Sequence, residues 1–85
     1  MPSPNTRLDL ERRIREVVAE MLRLDPEQIR MEDDLVVDLG ADSLALAELT
    51  VQLEQRMGVK VPGEEWLEVI AVGELADLIE RHQHP

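Results

Sequence analysis

The chain has 85 residues, a formal net charge of -10 and no cysteine. Such a length allows one small domain, and its core must be aliphatic, since 13 Leu, 9 Val and 4 Ile stand against one Trp and no Phe or Tyr. A disulfide framework, a thiol nucleophile and a Cys-ligated zinc site are excluded, and surplus acid argues against nucleic acid as a partner because it repels phosphate.

No apolar run approaches the roughly 20 residues needed to cross a bilayer. Met1 to Asp9 lacks a basic start followed by an apolar stretch, so no signal peptide is expected. These features predict a soluble, cytoplasmic protein with no membrane contact.

Leu10, Ile14, Val17, Val18, Met21 and Leu22 fall on one stripe at helical spacing. They predict a first helix near 6–23, capped by Asn5 or Thr6, with Asp9 favouring the dipole from the first turn. Asp25-Pro26 then offers a cap followed by a proline at the first helical position. A turn or short helix there would present Ile29 to the core.

Residues 30–42 carry no helical period. Leu35, Val36, Val37 and Leu39 could form a strand, but no convincing second strand exists to pair with it. The segment is therefore expected to be a loop pinned by buried Leu35 and Leu39, with Gly40 free to take positive φ. Asp42 or Ser43 would cap a second helix near 43–57, whose Leu46, Leu49, Leu53 and Met57 share a stripe and which Gly58 stops. Val59, Val61 and Pro62 read as an extended connector. Glu64 to Val69 has room for about two helical turns. Leu75, Leu78, Ile79 and His82 predict a last helix near 72–82. The expected architecture is all-α: one domain over 1–85 with an ordered core of about 6–82, three main helices plus one short one, and a long loop between the first and second.

The charge is unevenly placed. Residues 1–30 carry six Arg and six acids, whereas 31–85 carry three basic residues and thirteen acids. Glu32, Asp33, Asp34, Asp38, Asp42, Glu48 and Glu54 follow one another with no Lys or Arg between Arg30 and Arg56. Such a field either keeps the chain soluble or steers basic partners onto it.

Enzyme chemistry finds little support. His82 and His84 lie in the last four residues, where an expected frayed tail would hold a base poorly beside a nucleophile. No Gly-x-Ser-x-Gly elbow surrounds Ser43, and no phosphate-binding glycine loop is present. Two histidines at i, i+2 do not make a zinc site. A calcium loop beginning at Asp34 fails, because its sixth and twelfth places hold Leu39 and Ala45. No metal site is expected. Ser43 remains, where a loop meets a helix N-terminus with free amides and a positive dipole end. At an arbitrary helix start a plain N-cap serine is the favoured explanation.

Asp38-Leu39-Gly40-Ala41-Asp42-Ser43-Leu44 resembles the phosphopantetheine attachment motif of the acyl carrier proteins. The resemblance runs through Glu32-Asp33-Asp34-Leu35, the second helix to Leu53-Glu54, Gly58-Val59-Lys60-Val61-Pro62 and into the last helix, about 8–82 in all. It implies a helical bundle that is no catalyst. Ser43 would carry 4′-phosphopantetheine, moved from coenzyme A by a phosphopantetheinyl transferase. Acyl intermediates would hang on the arm as thioesters, for fatty-acid or polyketide-type biosynthesis. Asp38, Asp42, Leu44, Glu48 and Glu54 would dock the basic patches of acyl-transfer, condensing and tailoring enzymes, and the chain would be a monomer. An acyl cavity within the bundle would draw on Leu49, Leu53, Val61, Trp66, Val69 and Ile70. The last three, at i, i+3 and i+4, would share an inward face, although Trp66 could equally be plain core.

Some positions depart from the family pattern. Ala45 and Gln55 stand where fatty-acid carriers often have acids, Ala71 where many members have a capping Thr, and Trp66 where the residue is usually small or polar. These fit a specialised or polyketide-type carrier at least as well as a housekeeping one. An amino-acid carrier, peptidyl or D-alanyl, is an alternative, though Leu39-Gly40-Ala41-Asp42 leans toward acyl cargo. An acidic adaptor with Ser43 as a mere cap is another.

Overall fold

A computed structural model describes residues 6–83. Its helices are α1 (Thr6–Leu22), α2 (Ser43–Met57), α3 (Gly63–Trp66) and α4 (Val72–Gln83), with a single 3-10 turn at Pro26–Gln28. No helix among the described residues is long and apolar enough to cross a membrane. The Asn5 cap and the tail residues His84 and Pro85 lie outside the described residues.

The α1 stripe packs as its spacing requires: Leu10, Ile14, Val17 and Val18 are buried. They meet Leu49 and Leu53 of α2 and Val72, Leu75, Ala76, Leu78 and Ile79 of α4 in one core. Each fully buried Leu, Ile or Val contributes about 1.5–3 kcal/mol. Leu53, with no exposed surface, would cost about 2–5 kcal/mol on truncation to Ala. Ion pairs fasten the rims. Arg7 of α1 reaches Asp77 of α4 at 2.7 Å, and Arg56 of α2 reaches Glu20 of α1 at 2.7 Å.

The loop between α1 and α2 is ordered by its own side chains. Asp25 caps the 3-10 turn by accepting the Glu27 N–H, Pro26 opens it, and Ile29 is buried beyond it. Asp34 Oδ1 accepts the Val36 and Val37 N–H groups, while Asp38 Oδ2 accepts that of Asp34 at 2.7 Å. The segment is a set of turns and not a strand, except at Asp34, which forms a single antiparallel bridge with Ala71. The Leu35 N–H donates to Ile70 O at 2.9 Å and the Val72 N–H to Asp33 O at 3.0 Å. Leu35 is buried as expected, whereas Leu39 is only half-buried.

Two expectations about the second half need correction. The short helix has one turn, Gly63–Trp66, and not two. Beyond it the bonds tighten to i→i+3, with the Glu68 N–H on Glu65 O and the Val69 N–H on Trp66 O. Trp66, Val69 and Ile70 therefore share no helical face: Ile70 is 61% exposed. The missing Thr at 71 is also compensated. Glu74 Oε1 accepts the N–H groups of Ile70 and Ala71, both at 2.7 Å, which is the reaching-back half of a capping box.

Candidate functional site

The approach to α2 is built so that one side chain caps and the next stays free. Leu35 and Ala41 are buried and joined by a bond from the Ala41 N–H to Leu35 O at 2.9 Å. Gly40 between them takes φ 76°, a conformation that a side chain would strain. The chain leaves this anchor in extended form at Asp42, whose Oδ1 accepts the Ala45 N–H at 2.8 Å. Asp42 is thus the N-cap, and Ser43 is the first helical residue, exposed.

Among the described residues, no hydrogen bond takes up the Ser43 hydroxyl. The plain-cap explanation for the serine therefore fails. The Ala45 and Leu46 N–H groups are taken by the side chain and backbone of Asp42, while the amides of Ser43 and Leu44 have no partner among the described residues. A free hydroxyl beside free amides, at the positive end of a fifteen-residue helix, suits a phosphodiester.

The expected docking residues divide. Asp38 and Asp42 are exposed, but each also ties down a backbone amide. Leu44 is 69% exposed, and with Glu48 and Val51 at i+4 and i+7 it makes an outward stripe on α2. Glu54 departs from the expectation: it is half-buried, and its Oε2 accepts the Val61 N–H at 3.0 Å. That side chain belongs to the fold first.

A cavity of about 340 Å³ opens beside Ser43 between α2 and the α3–α4 segment. Leu49, Trp66 and Val69 line it as expected. Leu53, Val61 and Ile70 do not: the first two are core, and Ile70 faces solvent. Leu35, Leu46, Ala47, Thr50 and Leu75 take their place. The signal for three of these was present, since Ser43, Leu46, Ala47 and Thr50 fall at i, i+3, i+4 and i+7 and so continue one stripe from the serine.

Residues 12–79 match the family described as the phosphopantetheine attachment site. Acyl carrier proteins are among the chain's relatives. One from Campylobacter curvus is 40% identical over 80% of this chain and 88% of its own length. One from Helicobacter pylori is 43% identical over 79% of this chain and 86% of its own. A chain described as an acyl carrier protein from Mycobacterium tuberculosis has a similar fold, with a TM-score of 0.80 and 28% identity over 85% of this chain and 96% of that one. A doublet acyl carrier protein from prodigiosin biosynthesis matches 96% of this chain and 40% of its own with a TM-score of 0.83, and at 22% identity it bears on the fold alone. The free hydroxyl, the unpaired first amides and the adjoining apolar cavity fit the group that this family holds. The chain belongs to the acyl carrier proteins, and its cofactor is 4′-phosphopantetheine.

Proposed function

We propose that Ser43 is the attachment point and that the chain carries acyl intermediates between the enzymes of a fatty-acid or polyketide-type biosynthesis. The observation that carries this reading is the free Ser43 hydroxyl one residue past the Asp42 cap. That oxygen is available to attack the pyrophosphate of coenzyme A, giving up its proton to a partner transferase as adenosine 3′,5′-bisphosphate leaves. The bound group supplies the thiol that this cysteine-free chain lacks, and a thioester on it is the form in which cargo is held. The chain's own residues do the rest: the helix start holds the phosphodiester, and exposed Glu48 of α2, with Asp38 and Asp42 ahead of the helix, steers basic partners.

The apolar cavity favours acyl over aminoacyl cargo, because an ammonium group would lose its water there without a partner. Tethering raises the concentration of the intermediate at each partner site, and brief, salt-sensitive docking lets partners exchange. On this reading the protein is a cytoplasmic monomer and a substrate of enzymes, not an enzyme. The test is intact mass after incubation with coenzyme A, magnesium and a promiscuous phosphopantetheinyl transferase. One added arm is expected on the wild type and none on Ser43→Ala. An arm on Ser43→Ala would overturn the assignment.

A further inference from the structure

Trp66 is held by more than packing. Its indole Nε1 donates to Glu54 Oε2 at 3.5 Å, and the same oxygen accepts the Val61 N–H at 3.0 Å. The Val61 bond fixes the carboxylate, and the long indole contact sets the ring edge against it. Thr50 is the last α2 residue on the cavity wall. At 1.5 Å per residue, Thr50 lies about 10 Å along the helix from Ser43, and Glu54 about 16 Å. The α2 wall of the cavity therefore runs from the serine to Thr50 and stops one turn short of Glu54, whose carboxylate stands against the indole of Trp66.

We infer that Trp66 is the end wall of this cavity and sets the longest acyl chain that the protein shelters, with Glu54 as its positioning residue. The inference rests on the carrier reading above. A chain shorter than the cavity is buried along Leu46, Leu49 and Val69. A longer one must swing the ring aside, which breaks the indole bond to Glu54, or else leave its end in water. Indole is large and rigid, so the limit is abrupt.

The protein supplies its own probe, because Trp66 is the only aromatic residue. Holo-protein is loaded with saturated acyl chains of increasing length, and Trp66 emission and the melting temperature are read for each. Emission should shift as chains reach the ring, and the gain in melting temperature should stop at that length. Trp66→Leu should move this limit to longer chains. Glu54→Gln, which keeps an acceptor oxygen, should retain the wild-type limit, and Glu54→Ala should blur it. A merely structural tryptophan would lower the melting temperature of every loaded form alike and leave the limit unmoved. Flat wild-type emission across the series overturns the inference even if Trp66→Leu does not fold, and so does an unchanged limit in folded Trp66→Leu. Failure of the arm to attach overturns both this and the carrier reading, whereas attachment with a flat series overturns this one alone.

Discussion

Asp42 Oδ1 accepts the Ala45 N–H at 2.8 Å, so the cap of α2 comes from the residue in front of Ser43 and leaves the serine without a structural duty. Ser43→Ala should therefore change stability by no more than about 0.5 kcal/mol, the range of surface substitutions outside special features. Asp42→Ala should cost about 1 kcal/mol through the lost cap. Urea unfolding of the two variants measures both. A larger loss in Ser43→Ala than in Asp42→Ala would return the hydroxyl to a capping role.

The start of α4 makes a parallel case. With Ala at 71, the two amides ahead of the helix depend on Glu74 Oε1. Glu74→Ala should cost about 1–2 kcal/mol, and Glu74→Gln clearly less, because the amide oxygen still accepts. Equal losses in the two variants would show that charge matters here and the acceptor does not.

How much of this was legible depended on whether the determinant was local. The bounds of α2 could be read because Asp42, the leucine stripe and Gly58, at φ 67°, all act within one segment. The Asp34–Ala71 bridge could not be read, because its partners are 37 positions apart and carry no strand pattern. Arg23 ends α1 at φ 60°, where glycine would have announced the turn. The place of Ser43 at the start of α2 and the inward turn of Leu49 were legible. The outward turn of Ile70 was not, because it follows from i→i+3 bonds that shorten α3 after Trp66. Glu54 reads as one more acid of an acidic stretch until the fold brings the Val61 amide to it.

Glu20 and Arg56 clamp α1 to α2, and hydrogen bonding to Arg56, with its charge, holds the Glu20 carboxyl below the usual carboxylate range. A carboxyl depressed in the folded state adds stability that is present above its unfolded value and is lost as pH falls through the folded one. Both groups are exposed, so the contribution is small. The stability difference between wild type and Glu20→Gln should be present at neutral pH, begin to shrink as pH falls through the ordinary Glu range of about 4.3, and be lost at lower pH. Comparing the two proteins cancels the relief of repulsion among the other acids. A difference that grows on acidification would contradict the clamp.

Glu48 and Glu54 look alike in sequence, but the fold gives them different work. Glu48 is exposed, one turn beyond Leu44, with no ion pair among the described residues. Glu54 accepts from Val61 and Trp66 inside the fold. Glu48→Lys should leave the melting temperature nearly unchanged and slow modification by the transferase several-fold at low salt, chiefly through association. Its effect should shrink toward physiological ionic strength, where exposed charges are screened over about 8 Å. Glu54→Lys should instead lower stability by about 1–3 kcal/mol at any salt, because the Val61 N–H loses its acceptor and a cation takes its place. Stopped-flow association rates across a salt series, set beside melting curves, separate the two. Equal, salt-sensitive rate effects with unchanged melting would make Glu54 a docking residue after all. Unchanged rates in Glu48→Lys at low salt would reduce the acids of α2 to a solvating surface.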